Sequence, residues 1–170
     1  VEGGHSVCIV IEGNGSHRID ASIRPVANSA ALSPEELVQR LRDAGIAGLG
    51  GAGFPAATKL ASARNLGAHT LVLNGAECEP WICCDDALMR SAADDIVLGA
   101  LILQRAAGAV RCVIAIEDDK PAAIAAVTRA IERLPDDALT LAVVPAVYPQ
   151  GAERQLITAV AGVEVPSGGL

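Results

Sequence analysis

The stretch GLGGAGFP, residues 48–55, contains the residue types that most directly suggest ligand chemistry. Its Gly48-x-Gly50-x-x-Gly53 spacing is that of the dinucleotide-binding fingerprint. That fingerprint joins a strand to a helix, and an acidic residue follows at the end of a second strand. Here the flanking sequence is helical on both sides and the acidic residue is missing. Two interpretations stay open: a flexible connector, or a loop whose N–H groups bind a phosphate.

A cation and the aromatic side chains lie where they can serve such a ligand. Lys59 is predicted one turn into the helix after the glycines, where its ammonium either reaches a phosphate or stays solvated. Phe54, Trp81 and Tyr148 are the only aromatic residues of the chain, and all of them fall in predicted loops. Aromatic faces in loops indicate stacking on a flat cofactor, with chance placement as the alternative.

The turn NGAECEP carries three polar side chains directly after a short predicted strand. Asn74 either hydrogen-bonds the edge of a ring or caps the turn. Glu77 and Glu79 can bind sugar hydroxyls or a carboxamide, or simply be solvated. Because ligands of parallel sheets bind beyond the carboxyl ends of strands, this turn is a candidate binding segment.

The cysteines and the charge exclude some classes of function. Cys78-x4-Cys83-Cys84 lacks the C-x2-C spacing of zinc or iron–sulfur sites, so we predict no metal. The five cysteines indicate reduced thiols in a cytosol-like compartment. A net charge of −7 argues against nucleic-acid binding, which needs a basic surface.

The hydrophobic pattern predicts an α/β domain with a Rossmann-like, mostly parallel sheet and flanking helices, preceded by a short β-hairpin. The hairpin spans residues 6–23 around Asn14-Gly15. The predicted strands are 70–74, 111–117 and 139–145. The predicted helices are 33–45, 55–67, one long helix from Asp85 or Asp86 to about Ala107, 120–135 and 151–162.

Three motifs give the chain a family resemblance. GLGGAGFPAATKL, LVLNGAECEPWICCDDALM and YPQGAERQLITAVAGVEVPSGGL closely resemble the RnfC family, the C subunits of the Rnf ion-translocating electron transport complex. More loosely, they resemble the flavin-bearing NADH-binding subunit of respiratory complex I. That subunit has acidic residues where this chain has Ala76 and Ala152. The resemblance covers most of residues 30–170 in collinear order.

The resemblance implies a domain division and a binding site. Residues 1–30 would be the tail of a β-rich segment, and residues 31–170 an FMN/NADH-binding Rossmann-like domain from a longer subunit. A noncovalent FMN and NAD(H) would be bound there, with Lys59 on the FMN phosphate and Phe54 on the adenine of NADH. The implied cofactor-binding residues are Gly48, Gly50, Gly51, Gly53, Phe54, Lys59, Asn74, Glu77, Glu79, Tyr148, Gly151 and Glu153.

The resemblance also implies an activity and its setting. NAD(H) and FMN would exchange a hydride, and the flavin would pass electrons to iron–sulfur clusters, as in an ion-translocating ferredoxin:NAD+ oxidoreductase. The expected partners are NADH and other Rnf subunits, including an iron–sulfur subunit and membrane subunits. The expected location is the cytoplasmic face of the bacterial inner membrane, where the protein would be peripheral. The 4Fe-4S clusters, and an asparagine segment that helps hold FMN, are expected only beyond Leu170.

Two other functions remain open at this point. One is a related flavin-dependent cobalamin reductase, and the other is an assembly module that binds no cofactor in isolation. No side chain is assigned as catalytic, because the flavin supplies the chemistry and no acid–base triad is evident. His5, His17 and His69 are scattered along the chain and receive no role.

Overall fold

The computed structural model describes residues 10–16, 18–48, 53–135, 137 and 139–165. Its helices are α1 (Pro34–Asp43), α2 (Ala56–Asn65), α3 (Cys84–Ser91), α4 (Ala93–Ala107), α5 (Pro121–Ile131) and α6 (Glu153–Ala161). Its strands are β1 (Thr70–Gly75), β2 (Arg111–Glu117) and β3 (Leu139–Val144). Gly50 and Gly51 of the predicted site lie outside the described residues.

The three strands form one parallel sheet in the order β1-β2-β3. In register, Ile114 at the centre of β2 pairs with Leu73 of β1 and Leu141 of β3. Helices α3 and α4 connect β1 to β2, and α5 connects β2 to β3. This βαβ connectivity confirms the predicted α/β class.

The central strand separates two apolar layers because alternate side chains point to opposite faces of a sheet. Cys112, Ile114 and Ile116 pack in one cluster with residues of α4 and α5. Ala115 belongs to a second cluster, which includes Leu156 of α6. Helix α6 therefore covers the other face, and it contacts both β1 and β3.

Helix α1 begins with the predicted capping box. The Ser33 Oγ accepts the Glu36 N–H at 3.2 Å, and Glu36 Oε2 accepts the Ser33 N–H at 2.7 Å. Leu37 of α1 and Leu60 of α2 are buried in a cluster with Ala106 of α4. The glycine segment thus joins two helices, as the sequence predicted, and both helices pack on α4.

The prediction of a single long helix before β2 is wrong in one respect, because the structure divides this segment into α3 and α4. Ala92 leaves the helical region with φ −136° and ψ 36°. The Ser91 hydroxyl donates to the carbonyls of Ala87 and Leu88, at 2.8 and 3.3 Å, which favours ending the helix there. Asp94 and Asp95 then lie in the first turn of α4, where negative charge is favourable. The apolar periodicity continues across this break, so the pattern does not reveal it.

The structure describes no strand in residues 10–16 and 18–28, so the predicted β-hairpin is not formed in that part. Most of its first arm falls in residues 1–9, outside the described residues. The segment is attached to the domain by Arg105 of α4, whose guanidinium donates to the carbonyls of Ser29 and Leu32 at 2.9 and 2.8 Å. Among the described residues, none of the helices is both long and apolar enough to cross a membrane.

Candidate functional site

The carboxyl ends of the three strands meet at one edge of the sheet, and a cavity of about 260 Å³ opens there. Its walls come from the turn after β1, from the residues that end and follow β2, and from Ala146 after β3. Ligands of open parallel sheets bind in this position. The cavity is therefore the candidate site.

Glu77 is a buried carboxylate, 6% exposed, which caps helix α3. Its Oε1 accepts the Asp85 N–H at 3.0 Å, and its Oε2 accepts the Asp86 N–H at 3.2 Å. Burial by itself would raise the pKa of Glu77, but these backbone donors and the Cys84 thiol hold it below its usual 4.5. Glu77 consequently fixes the turn after β1 to the start of α3.

Glu117, the last residue of β2, is the most buried charged side chain of the described residues, with 1% exposed. Its Oε2 accepts the Glu77 N–H at 3.2 Å and lies 3.8 Å from the Lys120 ammonium. Its Oε1 is buried and has no hydrogen-bond partner among the described residues. Burial raises the pKa of Glu117, although the Lys120 charge lowers it. Sequence analysis missed this residue; the available signal was an acidic residue ending the apolar strand RCVIAIE.

Asn74 joins the turn after β1 to the turn after β3. Its Nδ2 donates to the Gly151 carbonyl at 2.8 Å, and its Oδ1 accepts the Ala76 N–H at 3.0 Å. The Gly151 N–H in turn donates to the Cys78 Sγ at 3.4 Å. A Cβ at Gly151 would lie 2.8 Å from the Ala76 carbonyl oxygen, so glycine is required for this close approach.

Lys59 of α2 and Glu153 of α6 form an ion pair, with Nζ and Oε2 separated by 3.1 Å. Both side chains are more than half exposed, at 57% and 56%. The pair brings the first turns of α2 and α6 together, although the residues are 94 positions apart. The first and third sequence motifs thus meet beside the sheet.

The glycine loop is closed at its base. The Gly48 N–H donates to the Phe54 carbonyl at 2.9 Å, and the Ala56 N–H donates to the Ile46 carbonyl at 3.0 Å. Gly53 has φ +60°, a conformation that side chains rarely adopt. Phe54, 43% exposed, projects from this base without entering the core.

Of the remaining candidate residues, Glu79 lines the cavity and Tyr148 is not among its lining residues. One of the Glu79 carboxylate oxygens lies 3.8 Å from the Cys78 thiol that donates to it. Tyr148 is 75% exposed. Trp81, which the sequence grouped with the other loop aromatics, lines the cavity, is fully exposed and has φ +70°.

One group of side chains has the spacing of metal ligands. Ligand atoms of Glu77, Cys84 and Asp85 lie within 4.8 Å of one another. Both Glu77 oxygens already accept backbone hydrogen bonds, and the Cys84 thiol donates to Glu77, which raises the pKa of Cys84. Helix capping explains this arrangement, and we assign no metal to it.

The fold and the position of the cavity define the class of protein: an α/β domain with a cavity beyond the carboxyl ends of a parallel sheet, where such folds bind ligands. The sequence profile of the Nuo51 FMN-binding domain matches residues 41–170. The chain therefore belongs to the Nuo51 FMN-binding domain family.

Named relatives confirm the resemblance to the RnfC family. The chain is 49% identical over 144 residues to the C subunit of the ion-translocating oxidoreductase complex of Haemophilus influenzae strain PittEE, covering 85% of this chain and 22% of the relative. The same protein of Pseudomonas aeruginosa is 47% identical over 162 residues, covering 95% of this chain and 20% of the relative. The C subunit of Pasteurella multocida is 43% identical over 163 residues, covering 96% of this chain and 19% of the relative. The chain thus spans about a fifth of the length of these curated relatives.

Solved structures show the same fold. A chain of an NAD+-reducing [NiFe]-hydrogenase in the H2-reduced state superposes with a TM-score of 0.65 at 28% identity, covering 79% of this chain and 25% of that one. A chain of the same hydrogenase in the air-oxidized state superposes with a TM-score of 0.63 at 31% identity, covering 74% of this chain and 23% of that one. These neighbours support an oxidoreductase family with a shared α/β architecture.

Proposed function

We propose that this chain is the FMN- and NADH-binding part of an electron-transfer subunit, in which a hydride passes between NAD(H) and FMN. The observation that carries the proposal is that residues of all three motifs contact one another. Lys59 pairs with Glu153, and Asn74 with Gly151, and the turn that follows Asn74 supplies Glu77 and Glu79 to the cavity. The family match to an FMN-binding domain supplies the ligand class.

The residues at this edge fit FMN. Its phosphate needs a cation, and Lys59 lies in the first turns of α2, next to the closed base of the glycine loop. Its ring needs polar partners, and Glu117 Oε1 is a buried acceptor without a partner among the described residues. When bound, FMN supplies the exchange of hydrides and single electrons.

The chain's own residues bind and orient these ligands. Lys59 binds the FMN phosphate, for which it exchanges its contact with Glu153. Phe54, exposed at the loop base, stacks on the adenine of NADH. Asn74 positions the Gly151 turn against the flavin. The other members of the proposed site are Gly48, Gly50, Gly51, Gly53, Glu77, Glu79, Tyr148 and Glu153, the last as the residue that holds Lys59 before the ligand binds.

The names of the relatives, which are subunits of an ion-translocating oxidoreductase complex, support a proposal for the wider setting. We propose that residues 31–170 form the binding domain and that residues 1–30 belong to a preceding β-rich segment. The whole subunit would act as a ferredoxin:NAD+ oxidoreductase, with 4Fe-4S clusters outside this chain. Its partners would be an iron–sulfur subunit and membrane subunits at the cytoplasmic face of the inner membrane.

Titration of the purified chain with FMN tests the proposal. Binding quenches or shifts the flavin fluorescence and absorbance, and we expect saturation with a single site per chain. Riboflavin, which lacks the phosphate, should bind more weakly by a factor of about ten or more, the value of one charge-assisted hydrogen bond. Absence of saturable FMN binding would contradict the proposal and favour an assembly role.

A further inference from the structure

We propose that Glu117 is a ligand-recognition residue of this site, whose Oε1 accepts a hydrogen bond from an amide or imide N–H of the bound ring. The inference rests on the proposed function and deepens it. None of the three sequence motifs includes Glu117. The inference starts from the unpartnered oxygen at the end of β2.

An unpartnered carboxylate oxygen in the protein interior is unfavourable. Buried polar atoms are almost always hydrogen-bonded, and an unsatisfied charged acceptor is among the costlier exceptions. Glu117 is 1% exposed, so in the described structure its Oε1 meets neither a donor among the described residues nor bulk water, and a ligand donor reaches it once the cavity residues that cover it move aside. A donor supplied by a ligand would satisfy the atom.

The carboxylate is held in a fixed orientation by its other oxygen. Oε2 accepts the Glu77 N–H at 3.2 Å and lies 3.8 Å from the Lys120 Nζ. The Lys120 ammonium is itself held by Asp119, with Nζ 2.6 and 2.7 Å from the two carboxylate oxygens. Both partners of Oε2 are therefore anchored, and Oε1 remains the acceptor available at the cavity that Glu117 lines.

The charges around the cavity indicate which chemical group suits it. Carboxylates of Glu77, Glu79, Glu117 and Asp119 line it, against the single ammonium of Lys120. An anion is disfavoured there, so the ligand phosphates belong at Lys59, and a neutral N–H donor is suited to the cavity. Two ring systems of the proposed function carry such a donor: the imide N3–H of the flavin and the carboxamide of nicotinamide.

Paired ligands that differ only in this donor test the inference on the intact chain. FMN is compared with N3-methyl FMN, and NADH with its reduced 3-acetylpyridine analogue, by equilibrium titration. We expect the wild-type chain to bind the N–H form of one pair about tenfold more tightly, the range of a hydrogen bond to a charged group. The pair that shows the preference identifies which ring meets Glu117.

Two variants connect the preference to the residue. Glu117→Gln keeps the shape but replaces the charged acceptor with a neutral one, and we expect the preference to fall to about threefold or less. Glu132→Gln, which changes an exposed carboxylate outside the cavity, should leave the preference as in wild type. The preference is a ratio measured on one protein, so a general loss of stability cancels from it.

The outcomes separate the inference from the function on which it rests. If wild type binds FMN and NADH but prefers neither N–H form, or if Glu117→Gln keeps the full preference, the role of Glu117 is overturned while the function stands. If wild type binds neither FMN nor NADH, the proposed function fails, and the inference fails with it.

Discussion

The Nζ of Lys59 lies 3.1 Å from the Oε2 of Glu153, so the cation assigned to the FMN phosphate is already paired with a carboxylate. Both side chains are more than half exposed, and such ion pairs contribute about 0–1 kcal/mol to stability. A phosphate at the base of the glycine loop can therefore displace Glu153 at little cost. The ion pair keeps the lysine directed toward the site in the absence of ligand.

Lys59→Ala should weaken FMN binding by about 1.5–3 kcal/mol, because it removes a charge-assisted hydrogen bond to the phosphate. Riboflavin binding should not change, because riboflavin has no phosphate. Titrations of both ligands against both proteins check this. Equal losses for the two ligands would exclude a phosphate contact.

Glu153→Gln is the matched variant of the same ion pair. It removes the carboxylate that competes with the phosphate, so FMN should bind as tightly as to wild type or several-fold more tightly. The free energy of unfolding should change by no more than about 1 kcal/mol. A marked weakening of FMN binding would show that Glu153 itself contacts the cofactor.

Phe54→Ala should raise the dissociation constant of NADH and leave the melting temperature nearly unchanged. Phe54 is 43% exposed at the base of the glycine loop, whereas truncation of a core phenylalanine costs about 3–5 kcal/mol of stability. Thermal unfolding and an NADH titration of the same sample separate the two effects. A large fall in melting temperature with unchanged NADH affinity would assign Phe54 to packing.

Gly151→Ala should destabilise the chain and weaken FMN binding together. A Cβ at this position would lie 2.8 Å from the Ala76 carbonyl oxygen, so the turns after β1 and β3 would have to separate. Gly99→Ala is the control, since a Cβ at Gly99 of α4 meets nothing within 4 Å. That substitution should stabilise the helix by about 0.5–1 kcal/mol. Unfolding by denaturant measures the stability of both variants. A Gly151→Ala variant as stable as wild type would contradict the close approach of the two turns.

Glu77 should make stability depend on pH in the acidic range. Its pKa is lower in the folded chain than the usual 4.5, so its stabilisation is complete above about pH 4.5 and is lost as the pH falls through the folded value. Glu77→Gln should cost about 1–3 kcal/mol at neutral pH, and the difference from wild type should shrink below about pH 4.5. Glu12→Gln, at an exposed position, is the control for removing a surface charge and should leave the free energy of unfolding nearly unchanged at neutral pH. A difference that is constant with pH would contradict the capping role.

The sequence predicted the elements well where local signals agree with the packing. The strand 111–117 and the start of α1 were placed to within a residue, because one is a continuous apolar run and the other has a full capping box. The division of the long helix at Ala92 was missed, because it depends on a serine hydroxyl and not on the apolar pattern. The N-terminal hairpin is not formed in residues 10–16 and 18–28, and the start of its first arm lies outside the described residues.

The candidate site was predictable as three motifs but not as a set of contacts. Proximity of Lys59 to Glu153, or of Asn74 to Gly151, depends on how α6 returns to the sheet, which no local pattern encodes. Glu117 was missed because none of the three motifs includes it. Its significance comes only from burial and from an oxygen left without a partner among the described residues.

Anaerobic mixing of the FMN-loaded chain with NADH is the most direct test of the central claim, that FMN and NADH bind at one site and exchange a hydride. The account predicts that NADH bleaches the flavin absorbance at a rate that saturates with NADH concentration. It also predicts that Phe54→Ala shifts this saturation to higher NADH concentration. A bound flavin that stays oxidised in excess NADH, while dithionite reduces it fully, would contradict the account.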